Sequence, residues 1–163
     1  MATYLGFPRR LRHEVPSWVG LGALFHVRMT VDRTTKAQSL IDSSLAQSLL
    51  ESVALYENTG RWYVTIFLLM PDHLHAILSF APDQQMSRII ADWKGFHARR
   101  NRIKWQEGFF DHRLRNDERG EQLSAKADYI RRNPVAAGLC ERVEDWPWVY
   151  PHPKADRVAP ALD

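Results

Sequence analysis

WYVTIFLLMPDHLHAILSF, residues Trp62 to Phe80, decides the fold. Tyr63 to Met70 is rich in β-branched and aromatic side chains and carries no charge, so it reads as a strand buried on both faces; a helix would want a longer run. Pro71-Asp72 interrupts it. Proline biases Met70 toward an extended conformation and Pro-Asp starts a turn, so His73 to Phe80 is expected to return as the antiparallel partner of a hairpin. With a side-chain period of two, His73, His75, Ile77 and Ser79 share one face. Leu74, Ala76, Leu78 and Phe80 share the other, which is apolar enough to be the core side. Two imidazoles therefore lie side by side on the less apolar face.

On the N-terminal side, Leu24 to Asp32 alternates: Phe25, Val27, Met29 and Val31 form an apolar face and His26, Arg28 and Thr30 the other, the pattern of a strand covered on one side. Lys36 to Asn58 lacks Gly and Pro and carries Leu40, Ile41, Leu45, Leu49, Val53 and Tyr56 on one stripe, which predicts an amphipathic helix ended by Asn58-Thr59-Gly60. On the C-terminal side, Met86 to Arg102 reads as a second helix, Trp105 to Arg115 as a last strand with a bulge near Gly108, and Glu118 to Arg132 as a third helix that Asn133-Pro134 stops. The order is the βαββαβ pattern of an α+β, ferredoxin-like antiparallel sheet, followed by an additional C-terminal helix. In such a sheet both crossover helices cover one face. His73, His75, His26 and Arg28 are expected on the open face, where the third helix could supply further groups. Residues 1–20 read as a basic N-terminal arm and 143–163 as an irregular tail packed through Trp146-Pro147-Trp148, all within one domain spanning 1–163.

At 163 residues, 45% hydrophobic and 25% charged, the composition is that of an ordinary globular domain. A single cysteine, Cys140, excludes an internal disulfide and a cysteine-based zinc cage, which fits a reducing compartment. The apolar runs are strand-sized and the first residues lack a signal-peptide stretch, so neither membrane insertion nor export is indicated and a cytoplasmic location is expected. The net charge of +3 is small, but the cations cluster: Arg9, Arg10 and Arg12; then Lys94, Arg99, Arg100, Arg102 and Lys104; then Arg131 and Arg132. Such clusters suit phosphate contacts, and they suit a solvated basic face equally well.

Neutral imidazole is a good ligand for divalent transition metals, and His73 and His75 can share one ion. Two ligands do not make a site, and half-exposed strand histidines that bind only water have the same pattern. Tyr129 and Asn133 are four residues apart and therefore share a helix face. A phenol with a free pKa of about 10 is a poor nucleophile, but a divalent ion that polarises a phosphate makes transfer to a phenolate feasible. The amide oxygen of Asn133 could complete the ion's ligands. Tyr129 suits a helix-sheet contact just as well, and Asn133 a helix end.

The stretches LLMPDHLHAIL (Leu68 to Leu78), WQEGFFDHRLR (Trp105 to Arg115), YIRRNPVAAGL (Tyr129 to Leu139) and DWPW (Asp145 to Trp148), in that order, resemble the REP-associated tyrosine transposases within the single-tyrosine HUH transposases. The resemblance runs from about His13 to Trp148. It implies that His73 and His75 bind a divalent ion, Mg or Mn, with Asn133 as a further ligand. It implies also that Tyr129 attacks single-stranded DNA, leaving a 5′-phosphotyrosine and a free 3′-OH. The chain departs from the family's pattern at Asp72, often Asn, which touches the surroundings of the metal ligands, and at Ala136, often Arg, which removes a possible phosphate contact. The implied activity is nicking and joining of single-stranded or hairpin DNA, with Arg9, Arg10, Arg12, Lys94, Arg99, Arg100, Arg102, Arg131 and Arg132 as DNA contacts. A non-cleaving hairpin-binding descendant and a hydrolase of small phosphoesters are the rival readings, and monomer or homodimer is left open.

Overall fold

In the computed structural model, which describes residues 24–34, 38–114 and 121–152, the hairpin lies near the middle of a five-stranded antiparallel sheet. In chain order the elements are β1 (Leu24–Thr30), α1 (Ser43–Asn58), β2 (Tyr63–Leu69), β3 (His73–Ser79), α2 (Met86–Arg100), β4 (Phe110–Leu114), α3 (Glu121–Ala136) and β5 (Val149–Tyr150), with a 3-10 turn at Val143–Asp145. The sheet order is β4-β1-β3-β2-β5. Its first four strands are the expected ferredoxin-like α+β unit, α3 is the additional helix, and β5 widens the sheet beyond it. Among the described residues no helix is long and apolar enough to cross a membrane.

The two faces of the sheet are chemically different. Val27 and Met29 of β1, Val64, Phe67 and Leu69 of β2, and Leu74, Ala76 and Leu78 of β3 pack against Leu45, Leu49 and Val53 of α1 and Ile89, Ile90 and Trp93 of α2. A register shift between Val64 and Ile66 inserts a residue and turns Ile66 and Leu68 to the opposite face. There they join Leu24, Ile77 and Leu114 beneath Ala127 and Ile130 of α3 and beneath Trp146 and Val149. That apolar cluster occupies only part of the face. His26, Arg28, Thr30, His73 and His75 lie beside it, and none of the five is fully buried.

Several boundaries differ from the expectation. α1 begins at Ser43, because the Asp42 carboxylate caps it by accepting from the Leu45 N–H at 3.4 Å. Leu40 and Ile41 therefore precede the helix, and the Leu40 N–H is donated to the Pro71 carbonyl at 2.9 Å. α2 stops at Arg100, and Arg102 has a left-handed φ of 56°. The last strand starts only at Phe110, since Gly108, with φ 72°, turns the chain before it, while Trp105 makes an isolated bridge to Val31.

Asn133-Pro134 does not stop α3, which continues to Ala136. Proline leaves the Ile130 carbonyl without its usual donor, and the Asn133 side-chain amide replaces it, donating to the carbonyls of Ile130 at 3.1 Å and Tyr129 at 3.3 Å. The helix instead ends at Gly138, φ 74°, where Leu139 N–H bonds the Pro134 carbonyl and Gly138 N–H the Val135 carbonyl.

The tail is likewise more regular than expected. Trp146 is buried and its Nε1 donates to the Leu69 carbonyl at 3.1 Å, and Val149 and Tyr150 pair with Leu68 and Phe67. Arg9, Arg10 and Arg12 lie outside the described residues, as does the rest of the N-terminal arm.

Candidate active site

The register of β1 with its neighbours builds the polar part of the open face. His75 stands opposite Arg28 and His73 opposite Thr30 across the β1–β3 pair; His112 stands opposite His26 and Phe110 opposite Arg28 across the β1–β4 pair. Residues directly opposite in antiparallel strands share a face. The His73 and His75 rings are nearly perpendicular, at 86°, with centroids 4.9 Å apart.

Each of the two imidazoles is held by its Nδ1. His73 Nδ1 lies 2.7 Å from Asp72 Oδ1, and the other Asp72 oxygen accepts from Arg33 at 2.9 Å. The hydrogen bond from His73 keeps the Asp72 carboxyl below its ordinary pKa, and the nearby charges of His73 and Arg33 act the same way against partial burial. An ionised carboxylate only accepts, so the His73 proton sits on Nδ1 and, in the neutral ring, Nε2 carries a lone pair. His75 Nδ1 lies 3.2 Å from His26 Nε2. Burial, reinforced by His73, His26 and Arg28, pushes the His75 pKa down to about 3, so this ring is neutral throughout the physiological range. Burial also lowers the pKa of His26, helped by the charges of Lys126, His112 and Arg28.

α3 brings Tyr129 and Asn133 to the edge of this patch. Leu123, Ala127, Ile130 and Pro134 form the stripe that packs inward, and Lys126, Tyr129 and Asn133 form a second stripe roughly a quarter-turn away. Lys126 is felt electrostatically by His26, so this second stripe is the flank turned toward the histidines. Tyr129 is 70% exposed, and among the described residues no hydrogen bond engages its hydroxyl. The Asn133 amide nitrogen is committed to the helix carbonyls, which turns its oxygen away from them. Among the described residues no three His, Cys, Asp or Glu side chains converge as a metal-holding group, so a third donor beside His73 and His75 has to be of another kind, such as an amide.

The basic residues divide between the two sides of the sheet. Lys94, Arg99, Arg100 and Arg102 belong to the α2 layer, across the sheet from His73 and His75, whereas Arg131 and Arg132 are on α3. Lys94 is half-buried; its ammonium donates to the carbonyls of Gln106 and Gly108, and burial lowers its pKa. Arg131 pairs with Asp128 at 3.0 Å. Arg99, Arg100, Arg102 and Arg132 are exposed. The periodicity of β1 placed His26 and Arg28 on the right face, but the support His26 gives His75, and the presence of Phe110, His112 and Lys126 around them, depend on strand register and helix placement that no local pattern encodes.

Comparison with known proteins agrees with this arrangement. Residues 25–123 match the family described as IS200-like transposases. Over 147 residues the chain is 24% identical to a Haemophilus influenzae protein named "Putative REP-associated tyrosine transposase", covering 78% of each. A solved structure of a REP-associated tyrosine transposase bound to a REP hairpin superposes with a TM-score of 0.66 at 24% identity, covering 87% of this chain and 86% of that one, and so has the same fold. With the match reaching from β1 into α3 and taking in both histidines of β3, the chain belongs to the IS200-like transposase family.

Proposed function

We propose that the protein nicks and rejoins single-stranded or hairpin DNA, with Tyr129 as nucleophile and a divalent ion, Mg or Mn, held by His73, His75 and Asn133. The observation that carries this reading is that both histidines are anchored through Nδ1, which reserves both Nε2 atoms, beside the α3 flank that bears a solvent-facing phenol. The donor set fits such an ion: two imidazole nitrogens, one of them in a ring that burial keeps neutral, and an amide oxygen whose nitrogen is tied down. When bound, the ion supplies Lewis-acid polarisation of the phosphate under attack.

The Tyr129 oxygen forms a bond to phosphorus as the bond from phosphorus to the 3′ oxygen breaks. The 3′ oxygen leaves as a hydroxyl once protonated, and the 5′ phosphate stays on the tyrosine. Exchange of one ester for another retains the energy needed for rejoining, since a later 3′-OH can reverse the step. Asp72 and His26 keep the two rings in one tautomer and orientation, and Asn133 carries its ligand oxygen on the same helix flank as the nucleophile. The REP hairpin held by the solved relative supports a hairpin as the substrate form.

A hairpin DNA with an unpaired flank, labelled at either end and incubated with the full chain and manganese, is expected to give a nick and a covalent protein adduct on denaturing gels. Tyr129→Phe should lose both while binding the hairpin and melting as wild type does. Normal cleavage by that variant would remove Tyr129 from the mechanism. Cleavage by wild type in excess chelator would remove the metal. Tight binding with no cleavage under any divalent ion would leave the chain a hairpin-binding protein.

A further inference from the structure

Beside the histidines, along β1 and the loop that leads into β4, lies a groove of about 650 Å³ lined by Arg28, Thr30, Arg33, Gln106, Glu107 and Phe110, with Gly108 and Phe109 completing its wall. Its size is that of a site for one small ligand, sites of this kind running from roughly 300 to 1,000 Å³, and it is far too small for a duplex stem. The lining is that of a nucleotide site. Phe110 is 59% exposed, standing opposite Arg28 and touching His26 only edge-on, at 6.4 Å between centroids. A large aromatic side chain that the fold leaves uncovered is a stacking platform for a base, and the two guanidinium groups beside it suit a phosphate.

The wall is built rather than loose. The Lys94 ammonium bonds the Gln106 and Gly108 carbonyls, Gln106 N–H bonds the Thr30 carbonyl at 2.8 Å, and Trp105 Nε1 bonds the Lys94 carbonyl at 3.0 Å. Arg33 is tied through Asp72 to His73, and Arg28 stands opposite His75, so the groove opens directly onto the metal-ligand pair.

We propose that this groove takes one unpaired nucleotide of single-stranded DNA, the neighbour of the nucleotide whose phosphate is attacked. Its base lies against Phe110, its phosphate lies on Arg28 and Arg33, and Gln106 and Glu107 face the base edge. The base has to be unpaired, because in a stem both of its faces are already stacked. Lys94 then serves DNA binding by holding the wall of the groove without touching a phosphate. The inference rests on the nicking function proposed above, and it can fail separately from it.

The test is fluorescence anisotropy with the full chain in chelator, so that nothing is cut. The probes are one hairpin without a flank, the same hairpin with a four-nucleotide unpaired flank on its 5′ or its 3′ side, and flanked hairpins with a single abasic position. Wild type should prefer one flanked hairpin, and one abasic position in that flank should remove most of the preference. Phe110→Ala should weaken binding of that flanked hairpin about ten-fold and leave the flankless hairpin unchanged, while Phe110→Trp retains the preference. Arg33→Ala should flatten the salt dependence of flanked binding alone. Equal affinity of wild type for flanked and flankless hairpins, or an equal loss on both in Phe110→Ala, would overturn the assignment. Cleavage without flank preference strikes the groove alone; flank preference without cleavage strikes the nicking function alone; failure to bind any hairpin strikes both.

Discussion

His97 and His75 lie on opposite sides of one sheet, and burial lowers both pKa values, to about 4 and about 3. They differ in what their nitrogens do. In the layer of α1 and α2, Asn101 donates to His97 Nδ1 at 2.8 Å and His97 Nε2 meets Ser52 Oγ at 2.7 Å. Ser52 Oγ also accepts from Trp93 Nε1 at 2.8 Å and donates to the Leu49 carbonyl at 2.6 Å. Both ring nitrogens are used and the ring is fully buried, so His97 cross-links two helices and can bind nothing further. On the open face His73 and His75 are each held by one nitrogen. A histidine with both nitrogens engaged is part of the frame, and one anchored at Nδ1 alone is a ligand held ready. Burial and pKa do not separate the two cases; the hydrogen-bond partners do.

The widest separation is expected from alanine substitution on each side. His75→Ala should lower cleavage by about a hundred-fold or more with little change in melting temperature measured without metal. His97→Ala opens a cavity and strands Ser52 and Asn101, so it should cost roughly 3 to 5 kcal/mol of stability while cleavage per folded molecule is retained. Urea unfolding together with cleavage assays on both variants measures this, and loss of cleavage by folded His97→Ala would break the contrast.

A pH series sharpens the same contrast. His97 takes up a proton near 6.5 when unfolded and only near 4 when folded, so the unfolded chain binds more protons in that window and stability falls as pH falls through it. The His97 share amounts to about 3 kcal/mol, fully lost by about pH 4. His97→Gln, which does not titrate, should flatten the dependence of unfolding free energy on pH between 6.5 and 4 without abolishing it, because burial lowers His26 and His75 too. An unchanged slope would mean that His97 is not the buried neutral ring described here.

Smaller effects are expected from the residues that hold the ligands. Asp72→Ala should raise the manganese concentration for half-maximal cleavage by about ten- to a hundred-fold, and Asp72→Asn by less, since an amide oxygen still accepts from His73. No change in either would detach Asp72 from the metal site. Asn133→Ala should do two things at once: raise the manganese requirement a few-fold and remove about 1 kcal/mol of stability by unpairing the Ile130 carbonyl. A drop in melting temperature with the metal response intact would leave Asn133 a helix residue and nothing more.

The hairpin, the alternation of β1 and the order of elements were legible because each rests on a local period that tertiary packing only reinforced. The course of α3 was not. Asn-Pro is ordinarily a stop, and it is bridged here by a side-chain bond that depends on the rotamer of Asn133. β5 was invisible because two residues carry no period, and their strand character comes from the edge of β2. Of the site, the residues that do chemistry stood out as motifs, whereas those that hold them came from distant segments: His26 through pairing and Lys126 through the seating of α3. Lys94 illustrates the limit on charge patterns, since a basic cluster cannot reveal that one ammonium is committed to backbone carbonyls.

The Pro71-Asp72 turn makes its connection a matter of length. The Pro71 carbonyl accepts from Leu40, the Asp72 carbonyl accepts from Val31 at 3.0 Å, and the Asp72 carboxylate reaches both Arg33 and His73. Most surface turns tolerate an added residue, but this one is fastened to the segment leaving β1 and to the approach to α1. One extra residue would also rotate every side chain of β3, sending His73 and His75 toward α1 and α2 and bringing Leu74, Ala76 and Leu78 to the DNA side. Relatives that keep the chemistry are therefore expected to vary the identity of residue 72 and to keep the number of residues between Met70 and His73 at two.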